Sequence, residues 1–323
     1  MDGITSGDVA AVAIGRNEGA RLRRCLDSLM GQVARVVYVD SGSTDGSRDL
    51  ARGLGAEIVE LDMSLPFTAA RARNAGVARL AEGGSPAFVQ FVDGDCALEP
   101  GWIAAAVDAM RDDPALAVVC GRRREIAPEA SVYNRLADIE WDTPVGEAKA
   151  CGGDSLMRMA AFEAVGGFDP RVIAGEEPEL CLRLRQAGWR IRRIDRDMTR
   201  HDAAMTRFSQ WWRRAVRGGY AYALGYAMHG AAPERHKAAD VRRIALWGIV
   251  LPLAVLAAAF ALGPWALLAL LVYPLQVLRL ARRDGDLAHA LFNTLGKFAE
   301  AQGMLRFLRD RLAGRTPQII EYK

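Results

Sequence analysis

The sequence predicts an α/β fold, a mainly parallel sheet flanked by helices, followed by membrane-associated helices. Three observations carry this. Short apolar runs at 9–14, 36–39, 56–61 and 87–92 alternate with helical patterns, the rhythm of strands joined by crossover helices. Polar clusters follow three of those runs: Arg16-Asn17-Glu18, Asp40 to Asp45, and Asp93-Gly94-Asp95. In a parallel sheet such clusters converge at the carboxyl ends of the strands, where ligands bind. Finally, no charged residue occurs between Ile244 and Leu278.

The elements follow in order. Val9 to Ile14 is an apolar run closed by Gly15, and Leu22, Leu26 and Leu29 mark one side of the next helix. Val36 to Val39 reads as a strand ending in the glycine-bearing loop Asp40 to Ser47, which leads into a helix. Ala56 to Leu61 is a third strand, Thr68 to Leu80 a helix, and Ala87 to Val92 the strand that meets Asp93. Gly101 to Arg111 reads as a helix and Ala115 to Cys120 as a strand; Arg122 to Lys149 is less regular. Arg122-Arg123-Arg124 is either a solvated face or a site for an anionic group. A helix begins near Glu176, with acids in its first turn and Pro178 near its start.

At 323 residues there is room for one large domain and something smaller. A net charge of +3 selects no partner class. The five cysteines have no C-x-x-C pairing, which argues against a zinc site or disulfide framework and fits a reducing compartment. No basic stretch followed by an apolar one opens the chain, so no signal peptide is expected. The absence of G-x-G-x-x-G after the first strand, and of G-x-x-x-x-G-K-[ST], disfavours dinucleotide and P-loop chemistry. Asp93 and Asp95 flanking one glycine at a strand end suit a hard divalent cation, although Asp-Gly is also an ordinary turn.

Asn17-Glu18, the Asp40 to Ser47 loop, Arg73-Asn74-Ala75-Gly76, Asp93-Gly94-Asp95, Gly166-Gly167-Phe168-Asp169 and Gly175-Glu176-Glu177 stand in one order over the first two hundred residues. In that order they resemble the catalytic domain of family-2 inverting nucleotide-sugar glycosyltransferases, which have an A-type α/β fold. The resemblance implies a donor site of Asn17, Glu18, Asp40, Ser43, Asp45, Arg73, Asp93 and Asp95, with Asp40 accepting from the nucleobase. It implies Mg²⁺ or Mn²⁺ on Asp93 and Asp95 against the diphosphate, and a general base in the Glu176-Glu177 pair, with Glu177 preferred. The chain departs from the family pattern at Ser41, where a second acid is usual, and at Glu177, where aspartate is usual. His201 is either a surface or capping histidine or a third metal ligand. Acceptor contacts are expected from Gly152, Gly153 and Asp154, and from Trp211, Trp212, Arg213 and Arg214.

The domains implied are a catalytic domain at 1–204, an amphipathic interfacial region at 205–243, a transmembrane or re-entrant hairpin at 244–280, and an amphipathic helix with a tail at 281–323. Gly263-Pro264 breaks the apolar run, and arginines flank it on both sides. By the positive-inside rule both ends, and the catalytic domain, face the cytoplasm at the cytoplasmic membrane. The other reading is a helical hairpin buried in a soluble dimer. The expected partners are a nucleoside-diphosphate sugar, a lipid-linked or glycan acceptor and the membrane, with a homo-oligomer left open and no nucleic acid. Retaining transfer on the same fold, and a non-catalytic membrane scaffold, are the rival functions.

Overall fold

The computed structural model describes residues 8–231, 233–315 and 318–321. The chain divides into two units, Met1–Ala204 and Met205–Lys323. In the first, β1 (Val9–Gly15), α1 (Ala20–Leu29), β2 (Arg35–Asp40), α2 (Ser47–Gly53), β3 (Glu57–Glu60), α3 (Ala69–Ala81) and β4 (Phe88–Asp93) alternate as expected. Then come β5 (Cys96–Leu98), α4 (Trp102–Asp112), β6 (Leu116–Glu125), α5 (Val132–Glu140), β7 (Gly146–Glu147), β8 (Ser155–Arg158), α6 (Met159–Ala164), α7 (Glu176–Gln186) and β9 (Arg190–His201).

Among the described residues these strands form one sheet in the order β3-β2-β1-β4-β8-β6-β9-β5, with β7 also on β9. The first four strands are parallel. Beyond them β8 lies antiparallel between β4 and β6, and β5 and β7 lie antiparallel on β9. The sheet is therefore mixed: its first four strands run parallel, and β6 and β9 form a second parallel pair. Apolar side chains cover both faces. In β1, Val9, Ala11 and Ala13 enter one core while Ala10 and Val12 enter the other, which is why the strand reads as a continuous apolar run.

Register brings the polar clusters together. Gly15 pairs with Asp40, and Ile14 with Asp93, so three strand ends stand level. The loop after β4 lies directly on β1: the Gly94 amide donates to the Ile14 carbonyl at 2.8 Å, and a Cβ on Gly94 would meet that oxygen at 3.0 Å. Helix α3, capped by Thr68, packs just as closely. A Cβ on Gly76 would sit 2.4 Å from Val12 Cγ1.

One strand is longer than expected. β6 does not stop at Cys120 but runs through all three arginines to Glu125, paired with β9. Register shifts between Cys120 and Arg122 and between Arg122 and Arg123 interrupt the period-two alternation. Bulges of this kind re-aim side chains, and they hid the strand in the sequence.

The second unit holds α8 (Phe208–His229), α9 (Ala238–Ala245), a π-helical stretch at Leu246–Val250, α10 (Leu251–Leu262), a 3₁₀ stretch at Pro264–Leu271, α11 (Val272–Asp284) and α12 (Leu287–Leu312). Ala238–Leu262 and Pro264–Asp284 are each long and apolar enough to cross a membrane. The chain reverses between them at Gly263, whose φ of +103° favours glycine. Large apolar side chains point outward there, Phe260 at 96% exposure and Trp265 at 80%.

Helix α12 leaves Leu291, Leu305 and Leu308 exposed. The face it buries is rich in small residues, among them Ala299, Ala301 and Gly303. Glycines let α8 and α12 touch backbone to backbone: a Cβ on Gly219 would fall 1.9 Å from the Glu300 carbonyl oxygen, and one on Gly303 equally close to that of Val216. Aromatic contacts frame the crossing, with Trp211 edge-on to Phe292 at 4.8 Å and Tyr220 to Phe307 at 5.4 Å. Trp211, expected to meet an acceptor, is thus a buried packing residue. Trp212 donates its indole N–H to Gln302, Arg214 is half-buried, and Arg213 is exposed.

Candidate active site

Asp93 ends β4 with its carboxylate between two guanidinium groups. Arg73 Nη2 donates to Oδ1 at 2.7 Å, and Arg123 Nη2 approaches Oδ2 at 3.3 Å. Burial alone would push the Asp93 carboxyl up; the two arginines outweigh it and hold it below the ordinary carboxylate range. Arg73, 2% exposed on α3, also donates to Glu176 Oε1 at 2.6 Å, and it lies over the Phe168 ring at 5.5 Å. Phe168 in turn packs with Phe91 and Phe162. A buried cation is tolerated when it is paired and hydrogen-bonded, and Arg73 has two carboxylates.

The rest of the Arg73-Asn74-Ala75-Gly76 segment has its own tasks. Asn74 accepts from the Phe168 amide at 3.0 Å and donates to its carbonyl at 2.7 Å. It clamps the Gly166–Asp169 turn as a neighbouring strand would. Arg183 secures the same turn through the carbonyls of Val165 and Gly167, with Glu179 balancing its charge.

Asp154 was expected at an acceptor surface. It is fully buried. It accepts from the Asp93 amide at 3.0 Å and from the Thr199 hydroxyl at 2.8 Å, and it pairs with Arg123 at 2.7 Å. It therefore positions Asp93 and Arg123 from beneath. Gly153 lies over the same group: a Cβ there would stand 2.8 Å from Arg73 Nη2 and 2.9 Å from Asp93 Oδ2. Gly152 beside it is exposed, with a φ of +90°.

Asp95, two residues after Asp93, faces His201. Nε2 of the histidine is 3.4 Å from Asp95 Oδ2, and Nδ1 is 3.3 Å from Glu125 Oε2. Glu125 is buried and also accepts from the Ala203 amide. Trp141 lies edge-on to the imidazole at 4.7 Å, and Arg123 lies over the Trp141 ring. Burial of the imidazole pulls its pKa down, but Asp95 and Glu125 outweigh this and raise it. His201 is thus no surface residue. Two ligands in adjacent octahedral positions on a cation stand about 3.0 Å apart, close to the Asp95–His201 spacing. A ligating histidine ordinarily gives its other ring nitrogen to a carboxylate, and Glu125 is in that place. Carboxylate with imidazole suits Mn²⁺. The donor set fits a divalent cation centred on Asp95 and His201, while Asp93 is held by its arginines.

Glu176 and Glu177 open α7, but their surroundings differ. Glu176 is tied to Arg73. Glu177 Oε1 accepts from the Cys151 amide and lies 3.0 Å from each of the Cys151 and Cys181 thiols. Among the described residues none donates to Oε2.

In the loop after β2, Asp40 is 2% exposed. Its Oδ2 accepts from the Gly42 and Ser43 amides, and its Oδ1 from the Tyr38 hydroxyl. It shapes the loop from below, which changes its expected part as an open acceptor for a nucleobase. Asn17, with φ +56°, accepts from the Thr44 amide, while its own amide donates to the Ser43 hydroxyl. Asp45 accepts from the Gly19 amide and from Ser47. Glu18 pairs with Arg21 at 3.0 Å. These bonds lock the β1 and β2 loops together and leave Asn17, Thr44 and Asp45 at the surface. Trp212, Arg213 and Arg214 belong to the second unit.

Glu125, Trp141 and Thr199 were not singled out from the sequence, and Arg123 only as part of the arginine triplet. The arginine triplet was the one visible signal, and it divides. Arg122 pairs with Asp138 and Asp142, Arg124 pairs with Asp197 at the surface, and Arg123 turns into the site.

A level edge of parallel strands, a carboxylate–imidazole pair beside Arg73 and Arg123, and a carboxylate opening a nearby helix stand together in the first unit. The chain carries a glycosyl transferase family 2 domain: residues 12–162 match that family's model, a stretch that ends before Glu177 and His201. It is 30% identical over 230 residues to a pre-mycofactocin glycosyltransferase of Mycobacterium tuberculosis, covering 67% of this chain and 47% of that one. It is 28% identical over 211 residues to the succinoglycan biosynthesis protein ExoA of Rhizobium meliloti, covering 60% and 63%. The chain thus spans under two thirds of the length of these curated relatives. Among solved structures it resembles the mannosyltransferase PcManGT of Pyrobaculum calidifontis in complex with GDP-Man and Mn²⁺. There the TM-score is 0.66 at 21% identity, covering 96% of this chain and 89% of the other.

Proposed function

We propose that the chain is a membrane-associated, inverting glycosyltransferase that uses a divalent cation and moves one sugar from a nucleoside-diphosphate sugar to a lipid-linked or glycan acceptor. The observation that carries this reading is the juxtaposition at the β4 end. Asp95 and His201 pair there, the buried Arg73 and the half-buried Arg123 hold positive charge beside them, and Glu177 presents an oxygen with no donor among the described residues. Relatives in polysaccharide assembly and a neighbour solved with GDP-Man and Mn²⁺ support the substrate class.

In this reading Arg73 and Arg123 turn from Asp93 toward the donor diphosphate and hold its charge as the sugar leaves. Asp154 keeps Arg123 charged and in place. Glu177 Oε2 takes the proton of the acceptor hydroxyl as its oxygen attacks the anomeric carbon from the face opposite the diphosphate. Three donors on Oε1 fix that carboxylate in position. Asp95 and His201 would hold the cation, whose positive charge would give Lewis-acid assistance at the leaving diphosphate. The two apolar helices and the outward leucines of α12 support a membrane location, with the basic flanks and the catalytic unit on the cytoplasmic side.

The test is the anomeric configuration of the product, read by NMR, from the donor that gives nucleoside-diphosphate release. Inversion is expected; a retained configuration removes Glu177 from its role.

A further inference from the structure

Transfer as proposed uses one oxygen of Glu177. The other lies between two thiols. Cys181 is one turn further along α7, and Cys151 lies on the segment before β8; their sulfurs are 3.7 Å apart, and each is 3.0 Å from Glu177 Oε1. No C-x-x-C spacing announces this pair, because the fold brings it together across thirty positions. All five cysteines are free.

We propose that Cys151, Cys181 and Glu177 form a site for a thiophilic divalent cation of the Zn²⁺ class, separate from the site at Asp95 and His201, and that its occupancy blocks transfer. The inhibitory part rests on the reading of Glu177 as the base; the metal site itself does not.

Geometry and donor chemistry agree. Tetrahedral Zn²⁺ with Zn–S bonds of about 2.3 Å sets two sulfurs about 3.8 Å apart, and the sulfurs already stand at 3.7 Å. The carboxylate oxygen would stand about 3.6 Å from each sulfur, so it must withdraw by about half an ångström, which a carboxylate rotation supplies. Two thiolates with one carboxylate favour Zn²⁺ or Cd²⁺ over Mg²⁺. Burial pushes the Cys151 thiol up to about 11 and the Cys181 thiol well above its ordinary value. Both are therefore S–H donors to Glu177 when no metal is bound. On binding, each sulfur forms a bond to the cation and releases its proton to solvent. Entry is from the Cys151 side, where Cys151 is half-buried and Gly152 exposed. A water completes the four ligands. A cation held there draws Glu177 into its coordination, and the carboxylate no longer accepts the acceptor's proton.

The test uses the full chain in detergent with a phosphine reductant and excess Mg²⁺ to fill the hard site. Co²⁺ is the probe. A thiolate-to-cobalt charge-transfer band is expected in the wild type and in Cys120→Ser, and lost in Cys181→Ser; Zn²⁺ displaces it. Should Cys181→Ser fail to fold, Cys151→Ala on the half-exposed segment gives the same readout. Absence of the band in the wild type, or its survival in both site variants, overturns the site. In the second arm, Zn²⁺ in excess Mg²⁺ lowers transfer roughly 10²-fold or more, as expected for loss of a general base, and a chelator restores it. A band without inhibition keeps the site and overturns the blocking role.

Discussion

His201 stands between two carboxylates, and that placement separates its two ring nitrogens into different tasks. The one facing Asp95 is available to a cation, and the one facing Glu125 sets the orientation of the imidazole. Glu125→Gln keeps the shape of that contact but weakens the acceptor. We expect Mn²⁺ affinity in the presence of nucleoside diphosphate to fall roughly 10- to 100-fold, measured by titration calorimetry, with the fold intact by circular dichroism. Glu177→Gln should act on the other half of the site. Its turnover should drop roughly 10²- to 10⁴-fold while donor affinity is unchanged; an equal loss in donor affinity would mean that the residue holds the donor. At this scale the sequence singles out residues whose type carries its chemistry on its face, such as Asp95 and Glu177. It was silent for Glu125 and Thr199, whose parts come from strands that meet only in the sheet. It misled at Asp154, because Gly-Gly before an acid reads as a surface loop while the sheet buries that acid under Arg123.

The elements carry the positioning. β2, β3 and α3 are cross-tied by Glu57, which accepts from Arg35 and Arg79 at 2.9 Å each. The hydrogen bond and charge of Arg35, with those of Arg79, hold the Glu57 carboxyl below its ordinary value. Its folded pKa lies under its unfolded one, so this tie stabilises above the unfolded pKa of about 4.3 and is lost as pH falls through the folded value. Glu57→Gln should lower stability at neutral pH by no more than about 1 kcal/mol for so exposed a pair, read as a slightly lower melting temperature, and the difference should vanish in acid. The α8–α12 crossing is the more sensitive element. Gly303→Leu drives a side chain into the Val216 carbonyl, and we expect a loss of about 1–3 kcal/mol or more, read as a lower melting temperature in detergent. Strand and helix starts in the first unit were legible because apolar runs and caps are local. The full length of β6 was not, since two bulges break its alternation. Nor was the buried face of α12, since its leucine stripe outranks the small residues that make close contact.

For the molecule as a whole, the two apolar helices predict flotation of the full chain with vesicles, and loss of that flotation when Leu256, Phe260 and Trp265 are replaced together by aspartate; a soluble, monodisperse wild type would contradict the membrane reading. The central proposal is that the sheet edge, where Asp95 and His201 stand beside Arg73 and Arg123, holds a cation and a diphosphate. The most direct measurement is calorimetric titration of the full chain with UDP, GDP and dTDP, each with and without Mn²⁺, set against Asp95→Asn. The account predicts that at least one nucleoside diphosphate binds in an Mn²⁺-dependent way and that Asp95→Asn abolishes the dependence. Binding that ignores both the cation and Asp95, or no binding of any of the three, would contradict it.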